Sequence, residues 1–417
     1  MTSPEYSSHF SLANIPFGVA SSTSHPDPQC VTRLENTVIF LDVLHQSGGF
    51  AEVSGLPKDV FNKPTLNDYA ALSKPLHREV RKVLQNALKG QLPENSTEDI
   101  RDVTLHLPIA VGGFTDLTRI NPADFSCSLH HVRRAGKAII NDERPPPGFF
   151  NFPIGYSGRA STIVVSGTPI IRPKGHFFDR TSTSEKKPII YGPSRVMDWE
   201  LEMGFIVGQG VARLEGLNAK DADEHIFGAV ILNDWSARDI QGCEMIPLGP
   251  LNGKAFGTSI SPWIVTLDAL APFATPGPKA EVALASHLED VVESSYAIDF
   301  KVELIIEDQV TTVSESKLQD LHWSGRQMCA HLASSGADVR TGDILGTGTI
   351  SGPDEGSMGC LLEITSGGKE PLTLGSGHKR HMLQDWDTVR MTAVAGGSAS
   401  GVGFGECIGQ LQPAKAR

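Results

Sequence analysis

Short apolar runs separated by turn-forming residues dominate the chain after about residue 105. Several of these runs contain β-branched residues and alternate with polar positions, which is typical of strands in a packed sheet. The runs that predict strands are residues 162–166, 200–207, 260–267, 300–306, 358–364 and 388–393. The longer apolar run over residues 225–235 predicts a buried strand that enters a loop.

Helical periodicity is concentrated near the start of the chain. Val80, Leu84 and their apolar neighbours recur at helical spacing, while arginine and lysine side chains occupy the opposite face. The pattern predicts one helical stretch over residues 66–87 with a break at Pro75. A strand over residues 38–43 is predicted before it.

The 417-residue length exceeds that of one average domain of about 150 residues and allows a large core. The change in periodicity predicts a small N-terminal domain over residues 1–110 and a larger domain with few helices over residues 111–417. The fold class expected is therefore mainly β, of the α+β type.

Composition narrows the classes of function. A net charge of −12 argues against a nucleic-acid partner, which selects a basic surface. No run approaches the roughly 18 apolar residues that a membrane span needs. The six cysteines form no CxxC pair, and the N-terminal segment has neither the basic nor the apolar region of a signal peptide. We therefore expect a cytoplasmic protein with reduced thiols.

Glu200 and Glu202 lie two positions apart in a predicted strand, so both carboxylates point to the same face. Their neighbours Trp199 and Met203 are typical of core positions. Two buried carboxylates repel each other, so that either a shared proton or a cation is needed between them. A solvent-exposed strand face is the alternative interpretation.

Asp234 follows the buried run at the end of a predicted strand. Arg238, Gln241, Lys254 and Thr258 follow it in one polar, glycine-containing stretch between core segments. Carboxylate, carbonyl and hydroxyl oxygens suit Mg²⁺ or Ca²⁺ and do not suit zinc or copper. The sequence thus predicts a site for a hard divalent cation.

His130 and His131 form a candidate for the general base. A histidine titrates near neutral pH and contributes about 10²–10⁴-fold to a rate when it transfers a proton. Among fourteen histidines, however, a structural role is the more common one for any single residue.

A set of ordered motifs runs along almost the whole chain. They occupy residues 61–67, 106–108, 155–161, 165–169, 200–202, 233–241, 247–250, 348–353 and 403–407. Together they resemble the fumarylacetoacetate hydrolase family in its two-domain eukaryotic form. The resemblance implies an N-terminal SH3-like barrel and a C-terminal β-sandwich roll that forms a homodimer.

The resemblance also implies an enzyme that uses Mg²⁺ and/or Ca²⁺ to hydrolyse a carbon–carbon bond of a small β-diketo acid. By position, the implied metal ligands are Asp116, Glu200, Glu202 and Asp234. Lys254, through its carbonyl, and Thr258 are implied ligands of a second, Mg²⁺ position.

The same resemblance implies catalytic and substrate-binding roles. His131 is similar to the family's general base, and Glu363 to the carboxylate that orients it. Arg238, Gln241 and Lys254 are similar to the groups that polarise the substrate carbonyl. Tyr156 and Thr349 are similar to substrate contacts.

The chain departs from the family pattern around the substrate. Asp116 precedes His131 by fifteen positions where the family has seven, so either Asp116 or Asp124 fits the fourth ligand. We favour Asp116, with residues 119–126 as a loop insertion. Thr118 and Met245 stand where the family has substrate-binding tyrosines, and an arginine contact is lost as well.

Three hypotheses follow. The first is hydrolysis of fumarylacetoacetate to fumarate and acetoacetate, or of another β-diketone by a biosynthetic paralogue. The second is a metal-dependent decarboxylase or tautomerase of 2-oxo acids, which would not need the pair of His131 and Glu363 to activate water. The third is a catalytically silent paralogue.

Overall fold

The computed structural model describes residues 4–116, 119–121, 123–125, 127–246, 248–375 and 377–416, with backbone alone at residues 4, 5 and 116 and in the segments 119–121 and 123–125. The protein is mainly β with several helices, as predicted. Eight short 3₁₀ segments connect the larger elements: Pro4–His9, Ile100–Asp102, Ala160–Thr162, Ala219–Glu224, Ala271–Phe273, Ser286–Leu288, Leu318–Asp320 and Glu355–Ser357.

The N-terminal part forms an antiparallel sheet of five strands in the order β4-β3-β2-β1-β5. Its elements are β1 (Phe17–Ser22), β2 (Gln29–Leu34), β3 (Thr37–Phe40), α1 (Leu41–Gln46), α2 (Asn67–Ala70), α3 (Lys74–Ala87), β4 (Thr97–Asp99) and β5 (Val103–Leu105). The predicted single helix is two helices, because Pro75 lies in the first turn of α3, where its missing N–H is not needed. The predicted strand over residues 38–43 ends early, at Phe40.

The middle of the chain carries the strands that surround the carboxylates. The elements are β6 (Phe114–Asp116), β7 (Arg119–Asn121), β8 (Ala123–Phe125), α4 (Leu129–Ile140), β9 (Tyr156–Gly158), β10 (Ile163–Val165), β11 (Ile170–Ile171), β12 (Lys174–Phe178), β13 (Ile189–Pro193), β14 (Met197–Asp198), β15 (Leu201–Val207), β16 (Ile226–Asp234), β17 (Ser236–Ala237), α5 (Arg238–Glu244), β18 (Thr258–Ile260) and β19 (Val265–Thr266). Where a loop insertion was predicted, β7 and β8 form an antiparallel hairpin.

The C-terminal part of the chain supplies most strands of a second large sheet. Its elements are α6 (Leu267–Leu270), β20 (Ala274–Thr275), β21 (Ser295–Tyr296), β22 (Ile298–Ile306), β23 (Gln309–Lys317), α7 (Gly325–Ser334), β24 (Ile344–Gly346), α8 (Leu361–Ile364), β25 (Leu372–Thr373), β26 (Lys379–Arg380), β27 (Thr388–Ala395) and β28 (Gly403–Gln412). The prediction of a strand over residues 358–364 is wrong, since α8 occupies its second half. A short apolar run fits a buried helix turn as well as a strand.

Two sheets enclose the larger core. The first has the order β10-β18-β16-β15-β24-β6-β9, with β19 paired to β16, and the second has the order β11-β28-β27-β22-β23. Every residue of β15 and β16 is buried. One apolar cluster joins side chains of both sheets, including Met203, Ile231, Val302 and Met391.

The N-terminal sheet, which contains β1 to β5, packs directly against the eight-stranded sheet that contains β16. Phe17 of β1 exchanges backbone hydrogen bonds of 3.0 and 2.7 Å with Ile264, and Phe17, Tyr69 and Phe227 share a second apolar cluster. The division of the chain at residue 110 stays a prediction. Within the described ranges, no helix combines the length and the apolar character that a bilayer span needs.

Candidate metal and catalytic site

Three buried carboxylates meet where β15 begins and β16 ends. These strands are antiparallel, with Leu201 opposite Asn233, so Glu200 and Asp234 are brought side by side and the Asp234 N–H donates to the Glu200 carbonyl (3.1 Å). Glu202 points the same way as Glu200. One carboxylate oxygen from each of the three residues lies within 4.8 Å of the others. The predicted same-face pair of glutamates is therefore confirmed, and Asp234 joins it.

Two cationic side chains enter this cluster. Lys254 Nζ donates to Glu200 Oε2 and to Asp234 Oδ2, the latter at 2.7 Å. Arg238, the first residue of α5, places Nη1 2.7 Å from Glu200 Oε1 and 3.1 Å from Gln241 Oε1. Both cations are buried, so their charges act on the carboxylates with little screening by solvent.

Charge balance at this cluster favours a divalent cation. With Asp198 included, four buried carboxyl groups adjoin two buried cationic side chains, Arg238 and Lys254, so acidic groups outnumber basic ones among the described residues of the cluster. Buried charges need a partner, and carboxylate oxygens are the preferred ligands of Mg²⁺ and Ca²⁺. Glu200, Glu202 and Asp234 are therefore suited to hold such an ion.

The pKa values of two carboxyl groups are shifted in opposite directions. Burial alone raises the pKa of Glu200, but Lys254, Arg238 and more weakly His131 bring it down to about 2. Burial raises the pKa of Asp234 above its ordinary value, and the hydrogen bonds from Lys254 and Thr258 offset this only in part.

Other residues of the predicted site lie beside these three carboxylates. Thr258 Oγ1 donates to Asp234 Oδ1 (2.9 Å), and the Tyr156 hydroxyl lies 3.4 Å from Asp234 Oδ2. The Gly348 N–H donates to Glu202 Oε2 (3.1 Å), and Thr349, the next residue, is buried.

His131 and Glu363 form a buried pair. His131 Nδ1 lies 2.7 Å from Glu363 Oε1, which also accepts a hydrogen bond from Ser351 Oγ (2.7 Å). Burial alone raises the pKa of Glu363, but the charge of His131 and these hydrogen bonds hold it below its ordinary value. The carboxylate is therefore the acceptor and Nδ1 the donor, so the other ring nitrogen is the basic one.

A helix cap and several hydrogen bonds hold His131 and Glu363 in position. Ser128 caps α4, since its Oγ accepts from the His131 N–H (3.1 Å), and the same hydroxyl donates to the Ser351 carbonyl (2.7 Å). Cys360 Sγ lies 3.4 Å from Glu363 Oε1. Burial raises the pKa of the Cys360 thiol well above its ordinary value, so the thiol is a neutral donor to the carboxylate.

Asp198 is a site residue that the sequence interpretation missed. Its buried carboxylate accepts from the N–H groups of Leu361 (2.8 Å) and Leu362 (3.0 Å), at the start of α8. It also accepts from Arg238 Nε (2.9 Å) and pairs with Arg238 Nη2 (2.8 Å). One carboxylate thus joins the helix that carries Glu363 to the guanidinium beside Glu200. The sequence offered one indication of this role: Asp198 lies two residues before Glu200, in a segment of core residues.

The fourth predicted ligand lies partly outside the described residues. The backbone places Asp116 at the end of β6, opposite Tyr156 and Gly346, in the sheet that carries the other carboxylates. Asp124 lies in the separate hairpin of β7 and β8. The side chains of both aspartates fall outside the described part, and Thr118 lies outside it entirely, so the choice between them stays a prediction.

Two cavities adjoin the cluster. The first, of about 490 Å³, is lined by Arg238, Gln241 and Met245 together with mostly apolar side chains. The second, of about 330 Å³, is lined by Tyr156, Asp234, Lys254 and Thr258 and is mostly polar. The site is therefore accessible to a small molecule from two sides.

Replacing Asp198→Asn should destabilise the protein by about 3–5 kcal/mol, because the amide nitrogen cannot accept a hydrogen bond and the buried Arg238 guanidinium loses one of its two carboxylate partners. Urea unfolding measures this. The matched control is Asp385→Asn, which breaks the more exposed Asp385–Arg172 pair and should lose about 1 kcal/mol or less. Equal losses in the two variants would show that Asp198 does not hold this part of the site together.

Comparison with known proteins places the chain in a family. Residues 13–108 match the family model "Fumarylacetoacetase N-terminal", and residues 122–412 match "Fumarylacetoacetate (FAA) hydrolase C-terminal". The fumarylacetoacetase of Arabidopsis thaliana is 38% identical, over 97% of this chain and 96% of that protein. The fumarylacetoacetase of Homo sapiens is 37% identical, over 98% of this chain and 97% of that protein.

A solved structure supports the fold. The fumarylacetoacetate hydrolase of psychrophilic Exiguobacterium antarcticum superposes with a TM-score of 0.51 at 15% identity, covering 96% of this chain and all of that one. Because both family models and the near full-length relatives agree with this fold, the chain belongs to the fumarylacetoacetate hydrolase family.

Proposed function

We propose that this protein is a metal-dependent hydrolase that cleaves a carbon–carbon bond of a β-diketo acid, either fumarylacetoacetate or a close analogue. The observation that carries the proposal is a chain of contacts: Asp198 joins the start of α8, the helix of Glu363, to Arg238, which lies beside the buried carboxylate cluster, and Glu363 pairs with His131. The pair supplies a base, and the cluster supplies a site for a divalent cation.

The reaction needs a base at a defined atom. Glu363 holds the proton on His131 Nδ1, so Nε2 takes a proton from water as the water oxygen bonds to the acyl carbonyl carbon. The bond from that carbon to the neighbouring methylene then breaks. Its electron pair forms the enolate of the departing keto acid, and the proton returns to the enolate carbon.

Charge that develops on oxygen needs fixed donors. Arg238, Gln241 and Lys254 provide buried N–H groups for the tetrahedral oxyanion, and the low dielectric of the site increases their effect. A bound Mg²⁺ or Ca²⁺ supplies Lewis-acid stabilisation of the enolate. Asp198 holds Arg238 in place for this role.

The remaining assignments are part of the same proposal. Asp116, Glu200, Glu202 and Asp234 are proposed as ligands of one cation, and the Lys254 carbonyl with Thr258 as ligands of a second, Mg²⁺ position. Tyr156 and Thr349 are proposed as substrate contacts, and Thr118 and Met245 as substrate-facing replacements of tyrosines.

We also propose that the protein acts as a homodimer in the cytoplasm. The family resemblance supports the dimer. All six cysteines are free thiols and five of them are buried, which suits a reducing compartment. Light scattering of the purified protein measures the assembly, and a mass corresponding to one chain contradicts it.

Replacing His131→Ala should lower hydrolysis of fumarylacetoacetate by about 10²–10⁴-fold, since the base is lost. Turnover with Mg²⁺ is followed by identifying fumarate and acetoacetate as products. The matched control is His130→Ala, which removes the adjacent, less buried imidazole and should keep near wild-type turnover.

Product analysis of the same variant separates hydrolysis from the alternative chemistry. A decarboxylase or tautomerase that relies on the cation alone would keep its activity in His131→Ala. Wild-type protein that releases carbon dioxide, or only isomerises its substrate, would overturn the proposed hydrolase.

Calorimetric titration with MgCl₂ or CaCl₂ should show one or more bound cations, and a hundredfold excess over Kd should stabilise the fold by about 2.7 kcal/mol. Glu202→Gln should weaken this binding strongly, because it removes a buried anionic ligand. Glu315→Gln changes an exposed glutamate on β23 and serves as the control. Unchanged binding in Glu202→Gln would remove that residue from the ligand set.

A further inference from the structure

We propose that the first cavity binds the acyl arm of the substrate, and that this arm is an extended, mainly apolar chain. The inference rests on the proposed hydrolase function and names the class of substrate: a β-diketo acid whose acyl group is aliphatic along its length. Throughout this subsection the cavity of about 490 Å³ is called the acyl cavity.

The walls of the acyl cavity are largely hydrocarbon. They include Ile139, Phe178, Met245, Leu362 and Met382. Met245 and Leu362 are buried, while Phe178 and Ile139 are about half exposed, at 44% and 45%. No acidic side chain is among the described residues that line it. Such a surface gains free energy from burying methylene groups.

Two polar lining residues, Arg238 and Gln241, place the acyl cavity next to the position proposed for the reacting carbonyl of the substrate. Arg238 lines the cavity, and its Nη1 lies 2.7 Å from Glu200, so this one residue adjoins both the cavity and the carboxylate cluster. Gln241, which accepts from Arg238, lines the cavity as well. A substrate whose acyl oxygen faces Arg238 and Gln241 directs the rest of its acyl group into the acyl cavity.

The second cavity favours the same orientation. It is lined by Asp234, Lys254 and Thr258, and Tyr156 and Arg159 line it as well. None of the described residues lines both cavities. The polar keto-acid fragment therefore fits the second cavity, where the departing enolate forms, and the acyl arm fits the first.

Two cations, Arg180 and Lys369, also line the acyl cavity, and both are exposed. An ion pair with an exposed cation contributes about 1 kcal/mol or less, whereas each buried methylene contributes about 0.8 kcal/mol. Over several carbons the apolar walls outweigh a terminal charge. We therefore assign selectivity to the length of the arm and a minor effect to its end group.

The experiment uses the purified protein with Mg²⁺ and a series of 2,4-diketo acids that share one leaving group, pyruvate. Their acyl arms are acetyl, butanoyl, hexanoyl, octanoyl and a hexanoyl arm that ends in a carboxylate. We expect kcat/KM to rise by about two- to fourfold per methylene until the cavity is full. The carboxylate-ended arm should stay within about fivefold of the neutral hexanoyl arm.

A matched pair of variants tests the location. Phe178 and Ile189 are cross-strand partners on the β12–β13 hairpin, both exposed, and only Phe178 is among the residues described as lining the acyl cavity. Phe178→Ser should lower the ratio of kcat/KM for hexanoyl over acetyl by about tenfold. Ile189→Ser should leave this ratio as in the wild type.

The outcomes separate the inference from the function on which it rests. Hydrolysis of none of the diketo acids, and none of fumarylacetoacetate, would overturn the hydrolase itself. Hydrolysis that is independent of arm length, or that prefers the carboxylate-ended arm by a hundredfold, would overturn the apolar acyl cavity and keep the hydrolase. Equal effects of the Phe178 and Ile189 variants would move the arm to another surface.

Discussion

The burial of negative charge at the junction of β15 and β16 is the constraint on which the rest of the site depends. Asp198, Glu200, Glu202 and Asp234 are all withdrawn from solvent, and among the described residues two cationic side chains, Arg238 and Lys254, pair with members of this group. Carboxylates buried in this way persist only with partners. The fold therefore holds two cationic side chains rigidly in place and leaves room in its charge balance for a divalent ion.

The same buried charges also connect two groups of side chains, the pair His131–Glu363 and the carboxylate cluster. The proposed base His131 belongs to α4 and its carboxylate partner Glu363 to α8, whereas Glu202 and Asp234 belong to β15 and β16 of the eight-stranded sheet and Glu200 lies directly before β15. Asp198 connects them, because it holds the first N–H groups of α8 and the guanidinium of Arg238 at once. A shift of α8 is thus resisted by the same carboxylate that orients the oxyanion donor, and the base and the electrophilic groups keep a fixed relation.

The parts of the site that follow from local periodicity could be predicted from sequence. Glu200 and Glu202 share a face because strand side chains alternate, and Asp234 ends a buried run. The partnership of His131 with Glu363 spans 232 positions, so only the family resemblance indicated it. The turn of α8 was missed, since short apolar runs do not distinguish helix from strand, and the helix of residues 129–140 was missed although Val132, Ala135 and Gly136 recur at helical spacing. Asp198 was missed because its role comes from two distant elements that only the fold brings together.

The two cavities are separate, so substitutions in the apolar walls and substitutions in the charge cluster have different effects on the site. Cation binding and proton transfer depend on buried charges that compensate one another, so a substitution among them disturbs several partners at once. The acyl cavity contacts this assembly chiefly through Arg238 and Gln241, and most of its other walls are apolar side chains, with Arg180 and Lys369 exposed beside them. Volume-conserving exchanges among the apolar walls are well tolerated. A methionine at position 245, where the family resemblance implies a tyrosine, is therefore compatible with an intact charge cluster, and the proposed selectivity can change while the proposed reaction stays the same.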